Sequence, residues 1–252
     1  MNRKDRIRAL LKSIETGETE AVAVVSTETY IQHNPQTHEG SEGLADLFKR
    51  LSERSPRVNI VRAFEDGDFV FGHTEYDFGS PRVGFEIFRF ENDLVVEHWD
   101  NIQPRQGPNG SGHTMVGGPI EAEDLALTEA NREIVRTYGA TVLVGRRFET
   151  LAQFIDAEHY IEHSPHSGDG LPALEAFLTP GSGAGPEIRY DRSHRLLAEG
   201  NFVLSVNEGY FDGAHCAIHD LYRLADARIV EHWNTIEAIA PRSEWVNNNG
   251  KF

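Results

Sequence analysis

Two matching six-residue stretches decide the fold: Tyr30-Ile31-Gln32-His33-Asn34-Pro35, and Tyr160-Ile161-Glu162-His163-Ser164-Pro165, which follows it 130 residues later. Three further blocks recur in the same order with small drifts in spacing: 66–70 as 199–203, 86–89 as 220–223, and 96–100 as 230–234. Self-similarity of this kind is the signature of a repeated structural unit. The sequence therefore predicts a tandem duplication of one domain.

The seam between the copies is a stretch rich in glycine and proline over residues 104–119, which has neither helical nor strand periodicity. We place domain one in residues 1–106, a linker in 107–119, and domain two in 120–252. Each domain is then near the lower end of the common size range.

Each copy begins with helical patterns and ends with alternating ones. Apolar residues at helical spacing precede Gly17, a typical helix C-cap, and similar patterns follow near 44–51, 125–144, 148–155 and 171–178. Strands are predicted at 57–65, 68–78, 83–91 and 94–103, and again at 187–198, 201–211, 215–224 and 228–238. Helices followed by an antiparallel meander indicate an α+β fold, in which a curved sheet wraps one face around the helices and encloses a pocket.

The last hairpin of each copy predicts a group of polar side chains on one sheet face. If Arg89 opposes Glu97, the other face pairs Glu86 with Asp100 and Phe88 with His98; the second copy pairs Asp220 with Asn234 and Tyr222 with His232. Two opposed carboxyl groups in a partly apolar cavity do not both ionise easily, so we expect one pKa to be raised. His73 on the preceding strand is expected to point inward as well.

Composition excludes several classes of partner. Forty acidic against 24 basic residues give a net charge of −16, which disfavours nucleic acid and membrane surfaces. No stretch has the length of a membrane helix or the character of a secretory signal, and one cysteine builds no intramolecular disulfide. We therefore expect a cytoplasmic protein with a small-molecule ligand or substrate.

The 12 histidines raise the question of a metal site. His33 with His38, His163 with His166, and His215 with His219 are spaced so that pairs could meet. The sequence has no HExxH motif, and one of these pairs has no equivalent in the other copy. We expect no metal site.

The repeated blocks, together with the ending Asn247-Asn248-Asn249-Gly250-Lys251-Phe252, resemble the SnoaL-like, polyketide cyclase-like branch of the NTF2-like superfamily. The resemblance covers both copies. It implies two tandem NTF2-like cone-shaped barrels, each with a deep pocket and N-terminal helices packed on a curved antiparallel sheet. The superfamily includes polyketide cyclases and ketosteroid isomerases, which use no cofactor because a carboxylate removes a proton α to a carbonyl group. It also implies pairing through the sheets, either as a pseudo-dimer within the chain or as a homodimer.

Carried onto this sequence, the resemblance makes Asp100 the candidate base, and the groups expected to assist it are Glu86, His98, His73 and His33. The predicted ligand-binding residues are Asn34, Tyr30, Phe88, His163, Asp220, His232 and Asn234. The second copy departs from the pattern, since it has Ser164 for Asn34, Val206 for His73, and Asn234 for Asp100. An amide cannot act as a base, so the first copy is the stronger candidate for activity.

Three alternatives stay open. The group of Glu86, His98 and Asp100 could be a buried polar network that is fully hydrogen-bonded and has no reactive role. The chain could be a non-catalytic small-molecule binding or association module, whose polar groups only orient a ligand. In addition, the His-X-Pro stretches at His33 and His163 could be structural, each ring bonding a nearby carbonyl while the proline fixes the turn.

Overall fold

The computed structural model describes residues 1–252, with the exception of the side chain of Thr19. The chain divides into two compact units, one made of Met1–Pro104 with Ala240–Phe252 and the other of Arg105–Ile239. This division differs from the predicted boundaries at 106 and 119. Residues 105–119 pack within the second unit, and the C-terminal segment 240–252 packs within the first.

The first unit contains two helices and five strands. They are α1 (Arg3–Thr16), β1 (Ile31–Gln32), α2 (Gly40–Ser52), β2 (Arg57–Asp66), β3 (Phe69–Asp77), β4 (Pro81–Glu91) and β5 (Leu94–Pro104), with a 3₁₀ turn at Thr19–Val24. The α1 helix begins after Asn2, whose side chain accepts a hydrogen bond from the backbone N–H of Asp5. It ends at Gly17, which has the left-handed φ of 74° that favours glycine.

The second unit repeats this order. Its elements are α3 (Thr128–Tyr138), β6 (Ile161–Glu162), α4 (Leu171–Leu178), β7 (Ile188–Glu199), β8 (Phe202–Phe211), β9 (Ala214–Ala225) and β10 (Arg228–Ala238). The helix predicted over 125–144 begins with a 3₁₀ turn and ends in a π-helical turn, Gly139–Val144. Among the described residues, no helix is long and apolar enough to cross a membrane.

Each unit has one five-stranded sheet, in the order β1-β5-β4-β3-β2 or β6-β10-β9-β8-β7. Four strands form the predicted antiparallel meander, and the short first strand pairs parallel with the last one. That parallel pairing sets Gln32 opposite His98 and Glu162 opposite His232. The α+β class is confirmed in both units.

The predicted register of the last hairpins is also confirmed. Arg89 pairs with Glu97 and Glu86 with Asp100, while Asp220 pairs with Asn234 in the second unit. Directly opposed residues lie on the same face of a sheet. Glu86 and Asp100 therefore share a face, as do Asp220 and Asn234.

The helices of each unit pack against the sheet face that carries these polar pairs. In the first unit, the apolar cluster joins Ile7 and Leu10 of α1 to Tyr76 and Phe88 of the sheet. The second unit has its own cluster, in which Val135 and Tyr138 of α3 meet Tyr222 of β9. The polar pairs consequently lie among buried apolar side chains.

The C-terminal segment is held on the first unit by asparagine side chains. Asn247 Nδ2 donates to the backbone carbonyls of Asn34 at 2.7 Å and Thr37 at 2.9 Å, and Asn249 Nδ2 donates to that of Gln32 at 3.0 Å. Segment 105–119 uses the same device on the second unit, because Asn109 Nδ2 donates to the carbonyl of Glu162 at 2.6 Å. Both segments, 240–252 and 105–119, therefore dock on the repeated Tyr-Ile-X-His stretch of their unit, and we call them the tails of the first and second unit.

We expect Asn247→Ala to release the C-terminal segment from the first unit, because two buried carbonyls lose their donor, at a cost of about 1–3 kcal/mol. Hydrogen-exchange mass spectrometry should show faster exchange across residues 242–252. Asn248→Ala is the matched control, since Asn248 is exposed. Equal exchange in the two variants would contradict this role of Asn247.

Candidate functional site

A buried polar group, here called the first-unit cluster, lies on the helix-packed face of the first sheet. Its members are Tyr30, Gln32, Asn34, Tyr76, Glu86, His98, Asp100 and Lys251. They come from β1 and the turn after it, from β3, β4 and β5, and from the C-terminal segment. The register of the meander brings its central acids together, and the tail adds the cation.

Asp100 is almost fully buried and has two polar partners. Asn34 Nδ2 donates to its Oδ2 at 2.8 Å, and Lys251 Nζ lies 3.3 Å from its Oδ1. Burial by itself raises the pKa of the Asp100 carboxyl, but the Lys251 ammonium, the neighbouring His98 and the Asn34 hydrogen bond together lower it more, so the net pKa lies below the usual range. The expectation of a raised pKa is therefore not met at Asp100, because the sequence did not reveal the lysine.

Glu86 and His98 form the second half of the cluster. His98 Nε2 lies 2.8 Å from Glu86 Oε2, and the Tyr76 hydroxyl donates to Glu86 Oε1 at 2.7 Å. The His98 ring stacks on Phe88 with the ring centres 4.4 Å apart. Gln32 Nε2 lies 3.2 Å from His98 Nδ1 and the same distance from the Tyr30 hydroxyl. Of the predicted residues, Asn34 and His98 thus bond the two acids directly, while Phe88 stacks on His98 and Tyr30 bonds Gln32.

The same acids and histidine have the spacing of a cation site. Glu86, His98 and Asp100 each offer one ligand atom, and these atoms lie within 4.8 Å of one another. Lys251 brings a buried ammonium to Asp100 and so supplies positive charge from the chain itself. We therefore do not assign these residues as metal ligands.

The second-unit cluster has a different electrostatic arrangement. His232 lies between two acids, with Nδ1 2.8 Å from Glu162 Oε1 and Nε2 2.9 Å from Asp220 Oδ1. The hydroxyl groups of Tyr160 and Tyr190 donate to Glu162 at 2.7 Å and to Asp220 at 3.2 Å. Burial lowers the pKa of His232, but Glu162 and Asp220 outweigh it and raise that pKa to about 10. His232 is an imidazolium at neutral pH.

The two tails present corresponding residues to the clusters. Gly250 and Thr114 each place a backbone carbonyl on the Nδ1 atom of the matched histidine, so the residues that follow them, Lys251 and Met115, correspond. Both side chains are buried. The first unit therefore pairs Lys251 with Asp100, whereas the second unit has uncharged residues, Met115 and Asn234, at the two corresponding positions.

His33 and His163 lie outside the clusters. His33 Nε2 bonds Glu97 at 2.8 Å and its ring stacks on Trp99, both of which are on the opposite sheet face from His98. His163 bonds Glu231 at 2.8 Å and stacks on Trp233 in the same way. Each ring also contacts a tail carbonyl, which matches the structural alternative for the His-X-Pro stretches.

His73 also faces away from the acids, contrary to the inward orientation expected for it. Glu86 opposes Gly72, so the next residue, His73, points to the other face of the sheet. There it lies 3.0 Å from an Arg62 nitrogen and packs edge-on to Phe85.

Three members of the first-unit cluster were not predicted: Gln32, Tyr76 and Lys251. The sequence contained an indication for Gln32, because this residue corresponds to Glu162 within the most similar block of the repeat. Tyr76 lies on the same face as Gly72 and hence as Glu86, which parity alone could have indicated. Lys251 had no such signal, because its position depends on how the tail folds back.

A cavity of about 590 Å³ lies in the second unit between α3 and β7. Arginine side chains contribute to its lining, namely those of Arg132, Arg136, Arg192 and Arg195. The first-unit cluster is separate from this cavity and nearly closed to solvent, with Glu86, His98 and Asp100 exposed by 3%, 5% and 6%.

Residues 7–98 match the family model described as a SnoaL-like domain. This match lies within the first unit, which therefore contains a SnoaL-like domain. The second unit has the same strand order and the same repeated blocks. No curated protein matches the chain.

Several solved structures are similar to parts of the chain. They include IdmH, a putative polyketide cyclase from Streptomyces antibioticus, with 17% identity and a TM-score of 0.35 over 39% of this chain and 90% of that one. A putative ketosteroid isomerase from Kribbella flavida has 21% identity and a TM-score of 0.37 over 46% and 84%. An LEH-like epoxide hydrolase from M. tuberculosis has 17% identity and a TM-score of 0.35 over 40% and 81%.

We expect Lys251→Met to destabilise the first unit by about 3–5 kcal/mol, because it leaves the buried Asp100 carboxylate without its cation. Adding Asp100→Asn should recover most of this loss, because it removes the buried charge that Lys251→Met leaves without a cation. Urea unfolding of the two single variants and the double variant measures the coupling. The control is Lys49→Met, at an exposed lysine. A double variant no more stable than Lys251→Met would contradict the pairing.

The raised pKa of His232 predicts how stability depends on pH. The unfolded histidine titrates near 6.5, so the stabilisation from the imidazolium is fully present below about pH 6.5 and is lost as the pH rises through about 10. The difference in unfolding free energy between the wild-type protein and His232→Gln should therefore shrink between these values. The control Gln153→Ala, at an exposed residue that does not titrate, should leave the pH dependence unchanged. A constant difference for His232→Gln would contradict the assignment.

Proposed function

We propose that the first unit removes a proton α to the carbonyl group of a small, largely apolar compound, with Asp100 as the base. The observation that carries this proposal is the meeting of Asp100 with Glu86 and His98 on the helix-packed face of a SnoaL-like domain. Aldol cyclisation and isomerisation both begin with this proton transfer. The carboxylate takes the proton, the C–H electron pair forms the enolate double bond, and the carbonyl oxygen becomes negatively charged.

The charges around Asp100 suit this chemistry. Its lowered pKa keeps the carboxyl ionised, and therefore able to accept a proton, at neutral pH. Without a substrate, the Lys251 ammonium forms an ion pair with the Asp100 carboxylate. The carbonyl oxygen of a substrate could accept the hydrogen bond that Lys251 otherwise donates to Asp100. The ion pair is then weaker, which makes Asp100 more basic, and the ammonium lies where the negative charge of the enolate develops.

The apolar part of the substrate would contact aromatic side chains. Phe88 and Tyr76 belong to the apolar cluster under α1 and α2, and they lie beside His98 and Glu86. Because the cluster is nearly closed, the tail that carries Lys251 would open to admit a substrate and then close again, which returns the Lys251 ammonium to the substrate carbonyl oxygen. The enolate then either attacks a second carbonyl within the same molecule or takes up a proton at another carbon.

We assign the alternative role, a non-catalytic binding or association module, to the second unit. Asn234 replaces the base there, and the remaining acids of that cluster are held by an imidazolium and two tyrosines. These contacts favour a stable core over a reactive one.

We expect the purified protein to catalyse exchange of α-hydrogens for deuterium in D₂O with a panel of 1,3-diketones and β,γ-unsaturated ketones, followed by proton NMR. Asp100→Asn should reduce the rate by about 10²–10⁴-fold, because an amide takes up no proton. Asp93→Asn, in an exposed turn, should leave the rate unchanged. An unchanged rate in Asp100→Asn would remove Asp100 from the mechanism, and binding without exchange would favour the module for both units.

A further inference from the structure

One position holds different residues in the two clusters, although it has the same strand pairing and the same backbone hydrogen bond in both. Gln32 opposes His98, and Glu162 opposes His232. Each accepts, on its Oε1 atom, a 2.8 Å hydrogen bond from the backbone N–H two residues later. The same local geometry therefore holds an amide in the first unit and a carboxylate in the second.

The hydrogen bond from the backbone fixes the orientation of the Gln32 amide. Since a backbone N–H only donates, the amide oxygen must face Asn34, and the NH₂ group must face the other way. That group lies 3.2 Å from the Tyr30 hydroxyl and 3.2 Å from His98 Nδ1. Its two hydrogens therefore meet two acceptors. His98 Nδ1 carries no proton, and the ring proton is on Nε2, 2.8 Å from Glu86.

The carboxylate in the second unit reverses these hydrogen bonds. Glu162 has no hydrogen to donate, so Tyr160 donates its hydroxyl proton to it at 2.7 Å. His232 must donate from Nδ1 to Glu162 and from Nε2 to Asp220, which requires both ring protons. The high pKa of His232 agrees with this arrangement.

We propose that Gln32 is a positioning residue, which holds His98 as a neutral imidazole protonated on Nε2 and directs the hydroxyl proton of Tyr30 toward the substrate. Tyr30 accepts from Gln32, so its own O–H is available to the carbonyl oxygen whose charge develops when Asp100 takes the α-proton. Tyr160 cannot act in this way, because its hydroxyl group already donates its hydrogen bond to Glu162. The role of Tyr30 rests on the proposed function, whereas the protonation states do not.

Other ionisable groups around the two histidines support the contrast. Those gathered with His98 are Glu86, Asp100, Lys251, Tyr30 and Tyr76. Those gathered with His232 are Glu162, Asp220, Tyr138, Tyr160, Tyr190 and Tyr222. Each cluster holds two acids, and the balancing cation is Lys251 in one and His232 in the other. A third acid in the first-unit cluster should therefore draw a second proton onto His98.

The test is NMR of the histidine ring nitrogens, with the full chain labelled with ¹⁵N and titrated from pH 5 to pH 10. In the wild-type protein at neutral pH, we expect His98 to be protonated on Nε2 alone and His232 on both nitrogens. In Gln32→Glu, the new carboxylate faces Nδ1 of His98, so we expect a proton on both ring nitrogens at neutral pH. Gln36→Glu, which adds the same charge at an exposed site, should leave His98 protonated on Nε2 alone.

The reciprocal variant Glu162→Gln keeps the test independent of the folding of Gln32→Glu. In this variant, we expect His232 to lose its second proton at a pH about 1–3 units lower, and to lose it from Nδ1. Two protons on His98 of the wild-type protein at neutral pH, or an unchanged His232 titration in Glu162→Gln, would overturn the proposal. Neither measurement needs a substrate, so failure here is distinct from failure of the proposed reaction.

If α-hydrogen exchange is observed, the two tyrosines test the role of the hydroxyl proton. Tyr30→Phe should lower kcat by about 10²-fold with a smaller effect on KM, because the lost hydrogen bond strengthens in the transition state. Tyr160→Phe should change kcat by less than about threefold. Equal effects of the two substitutions would contradict the assignment to Tyr30.

Discussion

The pairing of a two-residue strand with the last strand of each sheet is the constraint on which both clusters depend. It sets Gln32 beside His98 and Glu162 beside His232. The backbone N–H that follows then orients the side chain at that position, and this side chain decides which ring nitrogens hold protons. A shift of one residue would turn these side chains to the other face, where Glu97 and Trp99 already hold His33. The chemistry of each unit thus follows from a very short element.

Local patterns predicted much of this structure, and long-range contacts account for the rest. Turn positions and alternation were sufficient for the meander, including the opposition of Glu86 and Asp100, because register in a hairpin is set by neighbours in sequence. The direction of His73 was misjudged, since the face of that strand was inferred from apolar parity, and both of its faces are buried. Lys251 was unpredictable because the segment that carries it returns to a strand about 150 residues earlier.

The two units balance similar buried charge by different means. Two acids and one cation occur in each cluster, and the cation is an amine in the first unit and a ring in the second. The lysine ammonium lies on a tail and could therefore shift from Asp100 to a substrate, whereas the His232 ring lies between two acids within the sheet. This difference supports a reactive role for the first unit and a structural role for the second.

The placement of the tails has a consequence for how the chain is encoded. A gene fragment that ends after the first sheet would encode Asp100 without Lys251, whereas residues 105–239 form a continuous unit that includes the docking residues Asn109 and Thr114. The first unit is interrupted in sequence, because its tail is encoded after the whole of the second unit. Truncation of the gene after Pro104 would therefore leave the buried Asp100 carboxylate without its cation, and the first unit depends on a chain that continues through the second.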